Sequence, residues 1–210
     1  MGGPCILTMK DDEQKNTDGE TKKPVVVAPD CTDNFQIRAF VFEGQTWYSC
    51  EHAFQGQKVL PGPSRNLMCE IVPEAGETNK AHGMRAWRAG QKLEMRVDVD
   101  WDAVKVEKML AINRAKYAQN PDLAADLLAT GTDTITGKPS TGWEYQHVSH
   151  NWSFWNGRIQ MLIREELRDN PDMTASNSIN SALIPVDRPL LEILRAEFLA
   201  YAAPVIAQPQ

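Results

Sequence analysis

The stretch Ser49-Cys50-Glu51-His52-Ala53-Phe54-Gln55-Gly56-Gln57-Lys58 carries the strongest structural signal in the sequence. Ser49 is a favourable N-cap residue, and no helix breaker follows it until Pro61-Gly62-Pro63, so we predict an α-helix over residues 50–60. At about 100° per residue, Glu51, Gln55 and Lys58 fall within an arc of about 60° on this helix. A carboxylate, an amide and an ammonium group therefore share one face.

Two interpretations of this face are open at the level of the sequence. The simpler one is a solvated polar face that carries a weak ion pair. The other is a catalytic face, in which the three groups act on one ligand. Gly56 costs about 1 kcal/mol relative to alanine in the middle of a helix, which is easier to explain if another group packs closely against the backbone there.

Regular elements are predicted on both sides of this helix. Residues 37–42 and 46–48 resemble short strands, and residues 43–45 have the composition of a turn. Periodicity and capping residues predict further helices at residues 78–92, 100–117, 120–131, 158–167 and 189–202. Residues 132–156 show no regular pattern, and we expect a loop there. The predicted fold class is α+β and mainly helical, a compact single domain with a small sheet of short strands.

The two ends of the chain differ from its middle. Residues 1–32 are polar and lack apolar periodicity, so we predict a disordered N-terminal tail. Residues 33–168 form the predicted domain. Residues 169–210 are predicted to be a polar linker followed by an amphipathic helix, with Leu190, Leu194 and Phe198 on one side of it.

Composition and charge exclude several classes of protein. The 210 residues have no apolar run of the roughly 20 residues that a membrane helix needs, and the N-terminus lacks the pattern of a signal peptide. The formal net charge of −6 disfavours a broad, non-specific grip on nucleic acid. We therefore expect an intracellular protein, cytoplasmic or nuclear, that does not bind membranes.

The sequence gives little support for a metal site or a bound cofactor. The four cysteines form no CxxC pair, which disfavours a thiolate zinc site, and without a secretory signal a disulfide framework is not expected. His147 and His150 are three residues apart, a spacing that is only a weak metal signal. Phosphate-binding, dinucleotide-binding, HExxH and GxSxG motifs are all absent from the sequence. We expect neither a metal nor a cofactor.

The six tryptophans are a second notable feature of the sequence. Some of them belong to the core by composition alone. Trp101, at the start of a predicted helix, and the three in the predicted loop could instead stack on a flat ring, since each base–aromatic stack contributes about 1–3 kcal/mol.

Several motifs in one order resemble the NADAR family, which includes the YbiA-like proteins. They are Asn34-Phe35, Thr46-Trp47, the helix motif from Ser49 to Lys58, Asp100-Trp101-Asp102-Ala103-Val104-Lys105, Ala115-Lys116-Tyr117, Asn120-Pro121, Leu127-Leu128-Ala129-Thr130-Gly131 and Met161-Leu162-Ile163-Arg164-Glu165-Glu166-Leu167. This resemblance covers about residues 33–168.

The resemblance implies a compact, mainly helical N-glycosidase and assigns roles to particular residues. Glu51 corresponds to the acidic catalytic residue, Lys58 to the lysine that closes the same helix motif, and Trp101 to a functionally important tryptophan. An Asp that precedes Trp-Gly in family members corresponds to Ser140 here. The residues expected to contact substrate are Asn34, Trp47, Gln55, Ser140 and Trp143.

Two substrate classes follow from the resemblance. We expect hydrolysis of the bond between ADP-ribose and guanine in ADP-ribosylated nucleic acid or nucleotide, with a single strand or a mononucleotide suiting the acidic chain better than a duplex. The alternative enzyme acts on ribosylated pyrimidine intermediates of riboflavin biosynthesis. A non-catalytic ADP-ribose-binding module is a third hypothesis, which Ser140 favours and the pair Glu51 and Lys58 disfavours. The sequence leaves the oligomeric state open.

Overall fold

The computed structural model describes residues 3–8, 14–15, 21–22, 25–170, 172 and 185–203 of the chain. The α-helices of this part are α1 (Cys50–Gln57), α2 (Pro63–Cys69), α3 (Asn79–Gly90), α4 (Trp101–Gln119), α5 (Pro121–Leu128), α6 (Trp152–Asp169) and α7 (Arg188–Ala202). Its strands are β1 (Ile6–Thr8), β2 (Gln14–Lys15), β3 (Thr21–Lys22), β4 (Val25–Val27), β5 (Phe40–Phe42), β6 (Gln45–Trp47), β7 (Thr134–Thr136), β8 (Gly142–Tyr145) and β9 (Val148–Asn151). The predicted fold class, α+β and mainly helical with short strands, is confirmed.

The strands pair into four small antiparallel sheets in the described part of the chain. The three-stranded sheet has the order β4-β1-β7, and Leu7 lies opposite Val26 on one side and Ile135 on the other. The remaining pairs are β2-β3, β5-β6 and β8-β9. Glu43 and Gly44 connect β5 to β6 with φ angles of 50° and 75°, which forms the tight turn expected at this place.

The three-stranded sheet corrects the prediction of a disordered tail over residues 1–32. Residues 6–8 and 25–27 are strands, Cys5 and Cys31 are buried, and the Cys5 amide donates to Thr32 Oγ1 over 2.9 Å. Besides β4, β1 pairs with β7, which lies far along the sequence, so local patterns in the polar N-terminal segment could not reveal that pairing. Residues 1–2, 9–13, 16–20 and 23–24 lie outside the described residues, as do residues 171 and 173–184 of the predicted linker.

The expected loop at residues 132–156 is also wrong. This segment contains β7, the hairpin of β8 and β9, and the first turns of α6, which Asn151 caps by accepting from the Phe154 amide. Gln146 and His147 form the hairpin turn with φ angles of 54° and 60°, so the turn lacks the glycine that usually marks it. The prediction also lacks helix α2. Pro61-Gly62-Pro63 indicates the end of a helix, but Pro63 is also the first residue of α2, a position that proline favours.

Helix α1 lies in the middle of the domain, packed against α2, α3 and α4. Each of its eight residues is buried, including Glu51 and Gln55, so the interpretation of a solvated polar face is wrong. The fully buried ring of Trp47 lies against Gly56, where a Cβ atom would come within 2.1 Å of the ring. This contact explains why glycine occupies the middle of the helix.

Helix α7 confirms the predicted C-terminal amphipathic helix and packs back onto the domain against α4 and α6. Leu191 and Leu194 are fully buried, while Leu190 and Phe198 are partly buried against the core. The Tyr201 hydroxyl donates to the backbone carbonyl of Asp102 in the first turn of α4. The C-terminal helix is therefore anchored at both of its ends.

Replacing Gly56 by alanine is expected to destabilise the protein, although alanine is the better helix former by about 1 kcal/mol. The added methyl group collides with the Trp47 ring, and overpacking of this kind costs about 1–3 kcal/mol. Denaturant unfolding measures the difference. Adding Trp47→Leu to Gly56→Ala should then cost less than the sum of the two single changes; a stabilised Gly56→Ala variant would contradict the packing account.

Stability is expected to fall in mild acid because His52 is buried as a neutral ring. Its Nδ1 accepts from the Tyr48 amide and its Nε2 lies 2.6 Å from the Met68 carbonyl, and burial lowers the pKa of His52 to about 4. The unfolded chain binds a proton at this histidine near the ordinary pKa of about 6.5, whereas the folded protein binds it only near 4. Between these two values the free energy of unfolding therefore falls by about 1.4 kcal/mol for each pH unit of acidification. The ring-proton NMR shifts of His52 report the titration directly, and a midpoint at the ordinary histidine pKa, about 6.5, would refute the assignment.

Candidate active site

A cavity of about 230 Å³ lies beside α1 and brings together four of the eight predicted site residues. These are Asn34, Glu51, Gln55 and Lys58. The other residues of its wall come from α1, α3, α4, α6 and the β7–β8 connection: Phe54, Trp87, Gln91, Met109, Thr141, Trp152 and Asn156. We call it the α1 cavity.

Glu51 is held in a fixed orientation by the residue one turn after it. The side chain of Glu51 is only 4% exposed, and its Oε1 accepts from Gln55 Nε2 over 2.6 Å. Gln55 in turn fits against Gly90, where a Cβ atom would come within 2.5 Å of Gln55 Oε1. Glu51 also lies in the first turn of α1, where the helix dipole favours a negative charge. The carboxylate is therefore held in one position at the start of α1.

Lys58 follows α1 as its C-cap residue and is partly buried. Within the described part of the chain, no carboxylate or carbonyl lies within bonding distance of its ammonium group, and Nζ lies 5.5 Å from the centre of the Phe54 ring. Burial lowers the pKa of Lys58, the nearby Lys105 lowers it further, and the charge of Glu51 opposes both effects. A lowered pKa makes the neutral, nucleophilic amine easier to reach at physiological pH.

A chain of buried, hydrogen-bonded side chains, most of them amides, supports the part of the α1 cavity wall that Asn34 and Asn156 form. Asn34 Nδ2 donates to Asn156 Oδ1 over 2.9 Å, and Asn113 Nδ2 donates to Asn34 Oδ1 over 3.3 Å. Gln160 Nε2 donates to Asn113 Oδ1 over 3.1 Å, and the Tyr117 hydroxyl donates to Gln160 Oε1 over 2.6 Å. Asn156 Nδ2 forms no hydrogen bond with any residue that the structure describes, so it is available to donate to a ligand in the cavity.

The other four predicted residues do not line the cavity. Trp47 has no exposed surface and belongs to the core beneath α1, which corrects the expectation that it contacts substrate. Trp101 and Trp143 stand one layer behind the wall, with ring centres 5.1 Å from Phe54 and 5.0 Å from Trp152 respectively. Ser140 precedes Thr141, which does line the cavity. Trp101 and Trp143 thus contact wall residues, and the contacts of Trp101, Trp143 and Ser140 with a ligand stay predictions.

Several wall residues were not identified from the sequence. Trp152 and Asn156 lie four residues apart on one face of α6, a spacing that would have paired them had the helix been predicted to begin before residue 158. Trp87 and Gln91 have the same spacing along α3 and its C-cap, and the predicted helix there was sufficient to find them.

Metal sites and membrane-spanning helices were both sought among the residues that the structure describes. No group of three or more His, Cys, Asp or Glu side chains is arranged to hold a metal ion among them. None of the helices described has a long enough apolar stretch to cross a lipid bilayer.

Comparison with known proteins places this geometry in a family context. The chain is 29% identical over 163 residues to riboflavin biosynthesis protein VVA0006 of Vibrio vulnificus, covering 72% of this chain and 39% of that protein. It is 32% identical over 97 residues to N-glycosidase YbiA of Escherichia coli, covering 46% of this chain and 55% of that protein. N-glycosidase Npun_R5314 of Nostoc punctiforme is 23% identical over 155 residues, which cover 69% of this chain and 89% of that protein. The chain thus spans less than two thirds of the length of the first two relatives.

A solved structure and a family model agree with these relatives. The NMR structure of E. coli YbiA superimposes with a TM-score of 0.52 and 27% sequence identity, covering 67% of this chain and 79% of that one. The model of the NADAR domain matches residues 13–168, which include α1, the α1 cavity and the amide chain beneath it. The chain belongs to the NADAR domain family.

Proposed function

We propose that the protein is an N-glycosidase that hydrolyses the bond between ADP-ribose and guanine in ADP-ribosylated nucleic acid or nucleotide. The observation that carries this proposal is the pairing of a positioned carboxylate, Glu51, with a partly desolvated amine, Lys58, on one wall of the α1 cavity. The names of the E. coli and Nostoc relatives, both N-glycosidases, support the reaction class.

The two groups match the charges that develop when an N-glycosidic bond breaks. Positive charge accumulates at the anomeric carbon of the ribose, and the departing base nitrogen takes the electron pair of the bond. Glu51 can stabilise the oxocarbenium-like sugar or remove a proton from an attacking water. Trp87 and Trp152 offer aromatic faces for the base, and Asn156 Nδ2 can donate to a sugar hydroxyl or to the base.

Lys58 allows a covalent variant of the same reaction. The neutral amine attacks the anomeric carbon, the electron pair of the C–N bond leaves with the base, and the base takes up a proton. The resulting glycosylamine opens its sugar ring to an iminium ion. Water then adds to that carbon, and its protons go to the ring oxygen and the departing amine, which regenerates Lys58 and releases ADP-ribose.

The surroundings of the cavity favour a substrate that is larger and more negative than a nucleoside. At about 230 Å³ the α1 cavity lies below the roughly 300–1,000 Å³ that encloses a drug-sized ligand, so it holds the scissile sugar with part of the base. Arg88 and Lys92 each follow a wall residue, Trp87 or Gln91, by one position. Both line a separate cavity along α3, are exposed and have no carboxylate partner within the described ranges, so they are available to a diphosphate that extends out of the α1 cavity.

A second candidate substrate is a ribosylated pyrimidine intermediate of riboflavin biosynthesis. The name of the Vibrio relative favours it, since that relative matches over 72% of this chain. The bond broken would be of the same type, and Glu51 and Lys58 would have the same roles. The third hypothesis, a module that binds ADP-ribose without catalysis, does not require the desolvated amine of Lys58.

Release of ADP-ribose from a short single-stranded DNA that carries ADP-ribosylated guanine tests the proposal. Wild-type protein should release free ADP-ribose, and Glu51→Gln should lower kcat by about 100-fold or more, the usual range for a general acid or base. The side-chain carbonyl introduced by this substitution can still accept from Gln55, so the fold is retained. Mass spectrometry follows both the sugar and the base.

The control is Glu107→Gln, which removes an exposed carboxylate of α4 away from the cavity and should leave kcat unchanged. Turnover of a ribosylamino-pyrimidine with no turnover of the modified DNA would transfer the assignment to the second candidate. Tight ADP-ribose binding with no turnover of either compound would identify a binding module.

The covalent variant predicts an iminium adduct on Lys58 that borohydride reduces and traps during turnover. Lys58→Met should give no adduct, and peptide mass mapping identifies the modified residue. Turnover without an adduct in the wild-type protein would leave water as the nucleophile and Glu51 as its base.

The charges around Lys58 predict opposite effects of two neighbouring substitutions on its pKa. Glu51→Gln removes the charge that raises the pKa of Lys58 and should lower it further, whereas Lys105→Gln removes a repelling charge and should raise it. The pH dependence of reductive methylation at Lys58, compared with that at Lys80 on the surface, measures both shifts. Shifts of the same sign in the two variants would contradict this electrostatic description.

A further inference from the structure

A second and larger cavity, of about 480 Å³, lies between the β8–β9 hairpin, the first turns of α6 and the last turns of α7. Five of its eleven lining residues carry aromatic rings, namely Tyr145, His150, Phe154, Trp155 and Tyr201. Part of the wall comes from α7, which lies beyond residues 13–168 matched by the family model. We call it the α7 cavity.

The rings of this cavity form a continuous packed set. The centre of the Tyr201 ring lies 5.0 Å from that of His150, 5.1 Å from Trp155 and 5.3 Å from Tyr145. The hydrogen bond from Tyr201 to the Asp102 carbonyl holds the central ring in place. Phe154 is 41% exposed at the rim, which leaves an aromatic face open to a ligand. Rings fixed in this way offer stacking surfaces at little entropic cost.

The charge of the cavity argues for a neutral, planar ligand rather than a cation. Glu197 is the carboxylate of its wall, and Arg158 Nε lies 2.9 Å from Glu197 Oε2. The same Arg158 stacks 4.6 Å from the centre of the Phe154 ring, so the cation–π position on that ring is already taken. An organic cation would find no free carboxylate in the wall, and on the Phe154 ring it would compete with Arg158. A flat heteroaromatic ring would stack without disturbing this pair.

The position of the α7 cavity relates it to the α1 cavity. Trp152 and Asn156 of α6 line the α1 cavity, whereas the intervening Phe154 and Trp155 line the α7 cavity. The two cavities therefore lie on two faces of one helical turn, and an α-helix with its side chains is about 10–12 Å across.

We infer that the α7 cavity binds a nucleobase of the same substrate, other than the guanine that is released, by stacking against Phe154 and its aromatic neighbours. This inference rests on the proposed function. The shared chemistry is a neutral heteroaromatic ring attached to a ribose phosphate. It can come from the adenine of the ADP-ribose group or from a neighbouring base of a nucleic acid strand.

Titration with adenosine 5′-monophosphate, followed by calorimetry, tests the cavity independently of any turnover. Ala200→Leu fills the cavity from α7, and Phe154→Ala removes an exposed stacking ring. Each should weaken binding about tenfold or more, the loss expected for one base–aromatic stack. Ala202→Leu makes the same change at an exposed position of α7 outside the cavity wall and should leave the affinity unchanged, as should Glu51→Gln in the α1 cavity.

Unchanged affinity in Ala200→Leu would overturn the inference, even if the wild-type protein turns over its substrate as proposed. So would binding that appears only in a chain shortened to residue 203, since the protein's own C-terminal residues would then occupy the cavity.

Turnover assays with two substrates separate the sources of the base. A raised KM in Ala200→Leu for both ADP-ribosylated guanosine and the modified oligonucleotide identifies the adenine. A raised KM for the oligonucleotide alone identifies a neighbouring base. Unchanged KM values for both, with turnover intact, would refute a role in substrate binding. If the wild-type protein shows no turnover, the proposed function fails while the titration still reports on the cavity.

Discussion

The contact between Trp47 and Gly56 is the constraint on which the rest of the site depends. It draws the whole of α1 into the interior, because a ring within van der Waals distance of the helix backbone leaves no space for water on that side. Polar side chains that an exposed helix would present to solvent are then enclosed with the core. Buried polar groups must find partners inside the protein, and on α1 that requirement generates the site.

The hydrogen-bond partners of the polar side chains differ between the two ends of α1. Near its start, Glu51 accepts from Gln55 and benefits from the helix dipole, so a buried negative charge is compensated locally. Beyond its end, Lys58 is partly buried and has no bonded partner in the described chain, so the loss of water lowers its pKa and the charge of Glu51 only partly offsets this. The helix thus places a hydrogen-bonded carboxylate and a partly desolvated amine on one cavity. That combination suits chemistry in which the amine acts as the nucleophile beside a carboxylate.

The sequence was sufficient for the elements that local signals specify. Ser49 marked the start of α1, which ends at Gln57 rather than at the predicted residue 60, and the shared face of Glu51, Gln55 and Lys58 was found from helical geometry alone. The features that the sequence did not predict depend on contacts between distant parts of the chain or on backbone conformation. Two features depend on parts of the chain that are distant in sequence, namely the pairing of β1 with β7 and the burial of Trp47. A third, the turn of Gln146 and His147, has a backbone conformation that no glycine marks in the sequence. Asn156 was missed for the same reason, since its position on the cavity follows from where α6 begins.

The tryptophans show a second limit of prediction from sequence, which concerns the direction that an aromatic ring faces. A sequence pattern can indicate that aromatic residues gather near a site, but it cannot say which ring faces a ligand and which ring supports it. Trp101 and Trp143 pack against Phe54 and Trp152, and these inner rings form the cavity wall. A supporting ring influences the reaction through the position of the ring in front of it, so truncating it loosens the wall without removing a contact to the ligand. The importance of Trp101 implied by the family resemblance is thus compatible with its place behind Phe54, because the wall must keep its shape if the sugar is to stay within reach of Glu51 and Lys58.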